Sequence, residues 1–494
     1  MDTYLGLDIG TSSVKALLID ARQQLIATGS ANLDVSRLHP LWSEQDPQAW
    51  WQATQDAVAQ VRAAAPVAAW RGLRGIGLSG QQHGAVLLDA AGQVLRPAIL
   101  WNDGRSWAEC AEITRRVPDL TQRSGNIAMA GFTAPKLLWV QRHEPEIFAA
   151  TAKVLLPKDY IRYRLSGAYV SDMSDASGTL WLDVAGRRWD DVLLAATELH
   201  RGQMPDLVEG SRRSADLSVA VAQDWGLAGQ TIPIAGGGGD NAASAVGIGA
   251  IRTGDGFLSL GTSGVLFAVS DHYVSAPERT LHGFCHALPG RWHGMSVHLS
   301  AAASLTWVAE IGGMASDIGG LMARTEAWAG NAMQRDNAPL FLPYLSGERT
   351  PHNDADASAM FAGLRAGHGI EALTYAVLEG VAFSMADGLD VLTSAGARLD
   401  TCQLVGGGAR SRFWGQMLAD VLGIDLLLPE GAEHGAAFGA ARLGMLAADA
   451  GDEATICTRP AVQHTFSPGK DRHAARLDRF RALYPAERAT RPAG

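Results

Sequence analysis

LGLDIGTSSVKALL at residues 5–18 and LSLGTSGVLFAV at residues 258–269 are two versions of one phrase. Each runs an apolar strand into a Gly-Thr-Ser turn and leaves along a second apolar strand. In such a turn glycine lets the backbone approach phosphate oxygens closely, and the Thr and Ser hydroxyls add donors to the backbone N–H groups. Gly10, Thr11 and Ser12 are the first expected phosphate cradle, and Gly261, Thr262 and Ser263 the second. Singly, each reads equally well as a plain hairpin turn. Their repetition in opposite halves of a 494-residue chain points to a duplicated fold closing on one nucleotide from both sides. An ATP-dependent phosphotransferase is the leading expectation.

That length exceeds one core and suits two large domains, with the boundary placed by the repeat near residue 246, giving 1–246 and 247–494. A formal charge of −10 leaves no basic footprint for nucleic acid or acidic membrane. The four cysteines are far apart, with no C-x-x-C pair, which suits a reducing cytosol rather than a disulfide or zinc framework. MDTYLGLDIG enters a strand directly, and no run reaches 18 uninterrupted apolar residues. The chain is therefore expected in the cytoplasm, neither exported nor spanning a membrane.

The first 33 residues read as three antiparallel strands. Asp46-Pro47 starts a helix to about Arg62, RGIGLSG (74–80) is a short buried strand, and residues 85–101 read as a hairpin around Ala91-Gly92. A mixed, mainly helical region follows to about residue 230. PIAGGGGD (233–240) is a strand and glycine loop opening the small-residue helix NAASAVGIGA, residues 401–423 read strand, glycine turn, helix, and HGAAFGAARLG (434–444) is an Ala/Gly-rich helix suited to close packing. This order implies a mixed sheet with helices on both faces in each half.

Phosphoryl transfer to an alcohol requires a phosphate cradle, a held Mg²⁺, a base for the hydroxyl and exclusion of water. Asp8, which only the first repeat carries, ends a strand just before the cradle and is placed to hold Mg²⁺; the alternative is a carboxylate that only bonds the turn. Asp240, between four glycines and Asn241, is the expected general base, and a helix N-cap is its alternative reading. Gln82 and His83 in GQQHG (80–84) can exchange hydrogen bonds with a polyol, or be satisfied within a core. Trp101 and Asn102 of LWNDGR follow a strand and can line the same pocket, whereas Asp103 and Arg105 equally pair with each other; Glu348 and Arg349 are ambiguous. GGGG (236–239) and GGGAR (406–410) lack the spacing and acidic partner of a dinucleotide fingerprint, and Gly407 and Gly408 read better as a turn admitting the flat face of adenosine.

From residue 4 to about 446 the chain resembles the FGGY carbohydrate kinases. The motifs are LGLDIGTSSVK, HPLWSEQDPQAWW, GQQHGAVLLDA, RPAILWNDGR, GFTAPKLLWVQRHEPEIF, LLPKDYIRYRLSG, SDMSDASGT, GGGGDNAASAVG, LSLGTSGV, FLPYLSGERTPHN and VGGGARS. The resemblance implies an α/β chain of two duplicated ribonuclease-H-like (actin/hexokinase-type ATPase) domains with an interdomain active-site cleft. It implies ATP- and Mg²⁺-dependent phosphorylation of D-xylulose at its 5-hydroxyl, and a homodimer. By motif, Asp240 matches the proton acceptor, Gln82-His83 the substrate-contacting pair, Asp8 the acidic residue near metal and phosphates, and Gly407-Gly408 the adenosine turn; Asn241 belongs to the sugar side. One departure is local: Gln82 stands where the family motif GQMHG has Met, exchanging an apolar pocket wall for an amide. The competing readings are a kinase for ribulose, gluconate or glycerol, and a non-catalytic actin- or chaperone-like ATPase clamp, which would not need a second polyhydroxy site.

Overall fold

The computed structural model describes residues 1–431, 434–469 and 473–491. Strands β1 (Thr3–Ile9), β2 (Ser13–Asp20) and β3 (Leu25–Asn32) form an antiparallel meander. Tyr4, Leu5, Leu7 and Ile9 of β1 are all buried, so the strand is apolar on both faces, as a central strand covered on both sides must be. Helix α1 (Pro47–Ala64) starts as expected: the Asp46 side chain accepts from the Gln48 N–H at 2.9 Å, and proline occupies the first helical position. Its inner face carries Trp50, Ala53, Ala57, Val58 and Val61, spaced for one side of a helix, and each fully buried valine contributes about 1.5 kcal/mol or more.

Strand β4 (Leu73–Gly80) runs parallel to β1. With β5 (Arg213–Asp216), β6 (Pro233–Ala235) and the short β7 (Gly238–Gly239) it completes a seven-stranded sheet, ordered β5-β6-β4-β1-β2-β3 with β7 also on β4. Helix α2 (Asp240–Gly247) follows directly. The second half repeats the plan with β8 (Gly254–Leu260), β9 (Gly264–Ser270), β10 (His282–Cys285), β11 (Trp292–His298), the long α3 (Ile370–Ser394), β12 (Leu399–Val405), α4 (Arg412–Leu422), β13 (Leu426–Pro429), α5 (Gly435–Ala447) and β14 (Val462–Phe466). Its sheet order is β10-β11-β9-β8-β12-β13-β14. β8, β9, β11, β12 and β13 thus reproduce β1, β2, β3, β4 and β6, with the same parallel and antiparallel pairings. This is the duplicated ribonuclease-H-like architecture. The copies differ at both edges: β5 precedes β6 in the chain but β14 follows β13, and β10 lies outside β11 where the first sheet ends at β3.

Two small-residue helices join the halves. Helix α5, from the second half, lies on the first sheet so closely that a Cβ on Gly77 would sit 1.6 Å from the Ala440 carbonyl oxygen. It also crosses α2, where a Cβ on Gly439 would sit 1.7 Å from the Ala243 carbonyl oxygen. Arg442 of α5 caps the far end of α2, donating to Val246 O at 2.9 Å and Gly247 O at 3.1 Å, and reaches Gln23 Oε1 at 2.8 Å.

One local expectation changes. The turn at residues 89–92 forms, with Gly92 N donating to Asp89 O, but Val86–Leu88 pairs with Lys153–Leu155, and only single bridges join Leu88 to Val94 and Ala85 to Ile99. Pro97 interrupts the returning segment because it has no N–H for a ladder. The region to residue 230 also contains more short strands than its composition suggests, among them Val170–Asp172 paired with Asp206–Val208.

Candidate active site

The expected site residues leave the carboxyl ends of parallel strands, where open α/β sheets bind ligands. Asp8 on β1 and Gly238 on β7 pair with the same residue, Ser79 of β4, from opposite sides. That register brings Asp8 and the start of α2 to neighbouring strand ends, and it delivers Gly10–Ser12, Gln81–His83 and Asp240 together. In the second sheet the ends of β8 and β12 deliver Gly261–Ser263 and Gly406–Gly408.

A polar network ties down the first turn. Thr11 Oγ1 donates to Gln81 Oε1 at 3.0 Å, Trp101 Nε1 donates to Thr11 Oγ1 at 3.0 Å, and Gln45 Nε2 donates to Thr11 O at 2.7 Å. Gln45 Oε1 accepts in turn from Gln81 Nε2 at 3.0 Å and Trp50 Nε1 at 2.9 Å. The second turn is held by its backbone, with Gly261 N donating to Ser263 O and Ala301 N to Thr262 O. Four residues separate the paired Ile9 and Val14, but three separate Leu260 and Gly264, so the second turn is tighter. The hydroxyls of Ser12, Thr262 and Ser263 make no hydrogen bond among the described residues and remain available as donors.

Asp8 and Asp240 lie deep in the cleft yet keep contact with solvent. Asp240, the first residue of α2, accepts from Asn241 N at 2.7 Å and Asn241 Nδ2 at 3.0 Å through one oxygen. Burial, and secondly the Asp8 charge, push its carboxyl up to about 7. Burial also raises Asp8, opposed by Ser79 and Lys15. Among the described residues neither Asp8 Oδ1 nor the Ser79 hydroxyl has a hydrogen-bond partner, so Ser79 acts on Asp8 by proximity. A deep carboxylate oxygen without a hydrogen-bond partner among the described residues fits a hard divalent cation that keeps most of its other ligands as water and phosphate.

Gln82 is buried, its Nε2 donating to Ser174 O at 3.3 Å, and it covers Gly239, where a Cβ would meet that nitrogen at 2.6 Å. His83 has φ 69°, a left-handed conformation rare for a side chain of this size. Its Nδ1 lies 2.6 Å from Gly178 O; a carbonyl only accepts, so Nδ1 carries the proton and Nε2 is a free acceptor. Burial and then the Lys136 charge press its pKa down to about 3, keeping the ring neutral. The buried Lys136 donates to His83 O and to Gly131 O, each at 2.8 Å, and holds the strained turn. Behind it Lys158 pairs with Asp172 at 2.8 Å, Ser174 Oγ donates to Asp172 at 2.5 Å, and Gly239 N donates to Ser174 Oγ at 3.1 Å, bracing the segment before Asp240.

Trp101 is exposed at the rim beside Thr11, and Asn102 is exposed without a hydrogen bond among the described residues. Asp103 and Arg105 pair at 2.7 Å and join Ser43 and Glu44, the structural one of their two readings. Gly406 takes φ 90°, and Gly407, where a Cβ would meet nothing within 4 Å among the described residues, opens onto a cavity of about 800 Å³ lined also by Val405, Ala409, Arg412 and Pro429. Gly408 faces inward, packing on Leu260 and Trp414. Sequence reasoning missed Gln81, Gln45 and Lys136; the doubled glutamine of GQQHG was the available signal for the first.

Twin sheets, twin Gly-Thr-Ser turns and a carboxylate pair between them define a phosphotransferase of the actin–hexokinase fold. Residues 3–247 match the N-terminal domain, and residues 256–448 the C-terminal domain, of the FGGY family of carbohydrate kinases, and the chain belongs to that family. It is 50% identical to a xylulose kinase of Escherichia coli (strain K12) over 97% of this chain and 98% of that one. It is 51% identical to a xylulose kinase of Klebsiella pneumoniae, over 90% of each chain. The crystal structure of a xyloylose kinase from Brucella ovis superposes with a TM-score of 0.94 at 50% identity, covering 99% of this chain and 100% of that one. ATP use follows from the family.

Proposed function

We propose that this kinase transfers the terminal phosphoryl group of ATP to the 5-hydroxyl of D-xylulose, giving D-xylulose 5-phosphate and ADP. The observation that carries the chemistry is Asp240, deep beside Asp8 with its carboxyl lifted to about 7. Half-identity to xylulose kinases over nearly the whole chain supports the sugar.

In this reading Asp240 accepts the hydroxyl proton as the new O–P bond forms and the bond to the leaving ADP oxygen breaks. Such a base is worth about 10²–10⁴ in rate. Gly10–Ser12 and Gly261–Ser263 donate to the phosphates, and the turn at Gly407 receives adenosine, with Gly408 packed behind it. Gln82, His83, Trp101, Asn102 and Asn241 position the sugar, His83 through its bare Nε2. Asp8 would hold Mg²⁺, which when bound offsets phosphate charge. A division near residue 246, a homodimer, and a cytoplasmic location supported by four buried, unpaired cysteines complete the proposal.

A coupled assay across D-xylulose, D- and L-ribulose, L-xylulose, glycerol and gluconate tests it. D-xylulose should give the highest kcat/KM. A higher value for another acceptor overturns the substrate, and ADP release that no acceptor accelerates overturns the kinase reading.

A further inference from the structure

The SGERTPH segment (346–352) has no part in the chemistry described so far. Its backbone is pinned on every side. Glu348 is buried, and its Oε1 accepts from Leu299 N at 2.9 Å and Arg349 N at 2.7 Å. Thr350 N donates to Val297 O at 3.0 Å, Thr350 Oγ1 accepts from Val297 N at 3.0 Å, and Thr280 Oγ1 donates to Arg349 O at 2.8 Å. The chain is thus built to fix Arg349 at the cleft end of β11.

Its side chain is nevertheless unused. The Arg349 guanidinium makes no hydrogen bond or ion pair among the described residues, although it lies as deep as Asp8 and Asp240 and, like them, keeps contact with solvent. Arginine offers five donors, and a deep guanidinium is ordinarily paired. Its charge, drawn by the neighbouring Glu348 carboxylate, acts on His83 of the first half and His282 of the second, and is not among those that act on Asp240. The two histidines are linked through Phe132, whose ring centroid lies 4.9 Å from that of His83 and 5.7 Å from that of His282. Arg349 therefore faces the His83 end of the sugar site, away from the base.

We infer that Arg349 is a substrate-contacting residue supplied by the second half of the chain, donating hydrogen bonds to sugar oxygens at the end remote from the phosphorylated hydroxyl. A ketose presents a carbonyl and a hydroxyl there, both acceptors. This rests on the sugar-kinase reading above.

The test compares the full-length wild type with Arg349→Met and Arg349→Lys, measuring KM for D-xylulose and ATP, kcat, and the thermal midpoint with and without sugar. Arg349→Met should raise the sugar KM by about tenfold or more, because a site built to hydrogen-bond an oxygen loses heavily without its donor. KM for ATP should stay within about twofold, and the ligand-free midpoint should be unchanged or higher, because the cost of burying this cation outweighs the attraction of Glu348. Arg349→Lys should fall between. A sugar KM within about twofold of wild type, or a lowered midpoint with both KM values rising together, overturns the inference. A wild type whose ADP release no sugar accelerates overturns the kinase reading and this inference with it.

Discussion

Asp240 and His83 sit at similar depth, and burial moves their pKa values in opposite directions. Each is driven toward its neutral form: the carboxyl up to about 7, the imidazole down to about 3. His83 is then neutral across the working range, so of the two only Asp240 titrates near neutrality; the buried Lys136, which holds the His83 turn, is pushed down to about 7 as well. The kcat/KM profile should rise with pH through an apparent pKa near 7, because only ionised Asp240 accepts a proton. Asp240→Asn should abolish that limb and lower turnover about 100-fold or more while nucleotide binding persists; retention above about a tenth of wild-type rate contradicts the base assignment. Stability supplies a second readout. Between the ordinary carboxylate range and about 7 the native Asp240 keeps a proton that the unfolded chain has released, so this group costs stability as pH rises through that window. The asparagine variant should therefore melt above wild type at pH 8 and lose that advantage toward pH 4.

At the scale of elements, the contact of α5 with α2 and with the first sheet decides whether the halves move as one mechanism. Alanine at Gly439 forces a methyl into the Ala243 carbonyl, and neither partner is a flexible side-chain end. Gly439→Ala should cost about 1–3 kcal/mol or more and reduce sugar-dependent turnover. Gly319→Ala, in the Ile318–Ala329 helix with nothing within 4 Å, should instead stabilise by about 1 kcal/mol. Chemical denaturation with an activity assay separates the two; equal effects would contradict the packing account. Much of this element level was legible in the sequence. The two hairpins, α1 and the Ala/Gly-rich helix follow from local periodicity, capping residues and small-residue spacing. The partners were not legible: Val86–Leu88 and Lys153–Leu155 are too short to specify a mate, and the seat of α5 on the opposite half's sheet is set by contacts that local pattern does not encode. The same limit applies to the site. Asp8, Asp240 and the glycine turns announce themselves by residue type at strand ends, whereas Gln45, Lys136 and Arg349 become site residues only through folding.

The whole molecule is two versions of one sheet that meet over their strand ends. Repetition supplies two phosphate turns. In the proposed reaction the differences supply the chemistry: Asp8 where the second copy has Ser259, Asp240 at the head of α2, and Arg349 returned to the cleft from the second half. On that proposal each half alone lacks something that phosphoryl transfer to a sugar requires, so the reaction belongs to the pair. Phosphorus NMR of the protein with ATP, Mg²⁺ and D-xylulose tests this most directly. On this account a phosphomonoester signal coupled to a CH₂ group should grow in step with ADP, and about 100-fold or more slower for Asp240→Asn. Inorganic phosphate released at the same rate with or without sugar would contradict it.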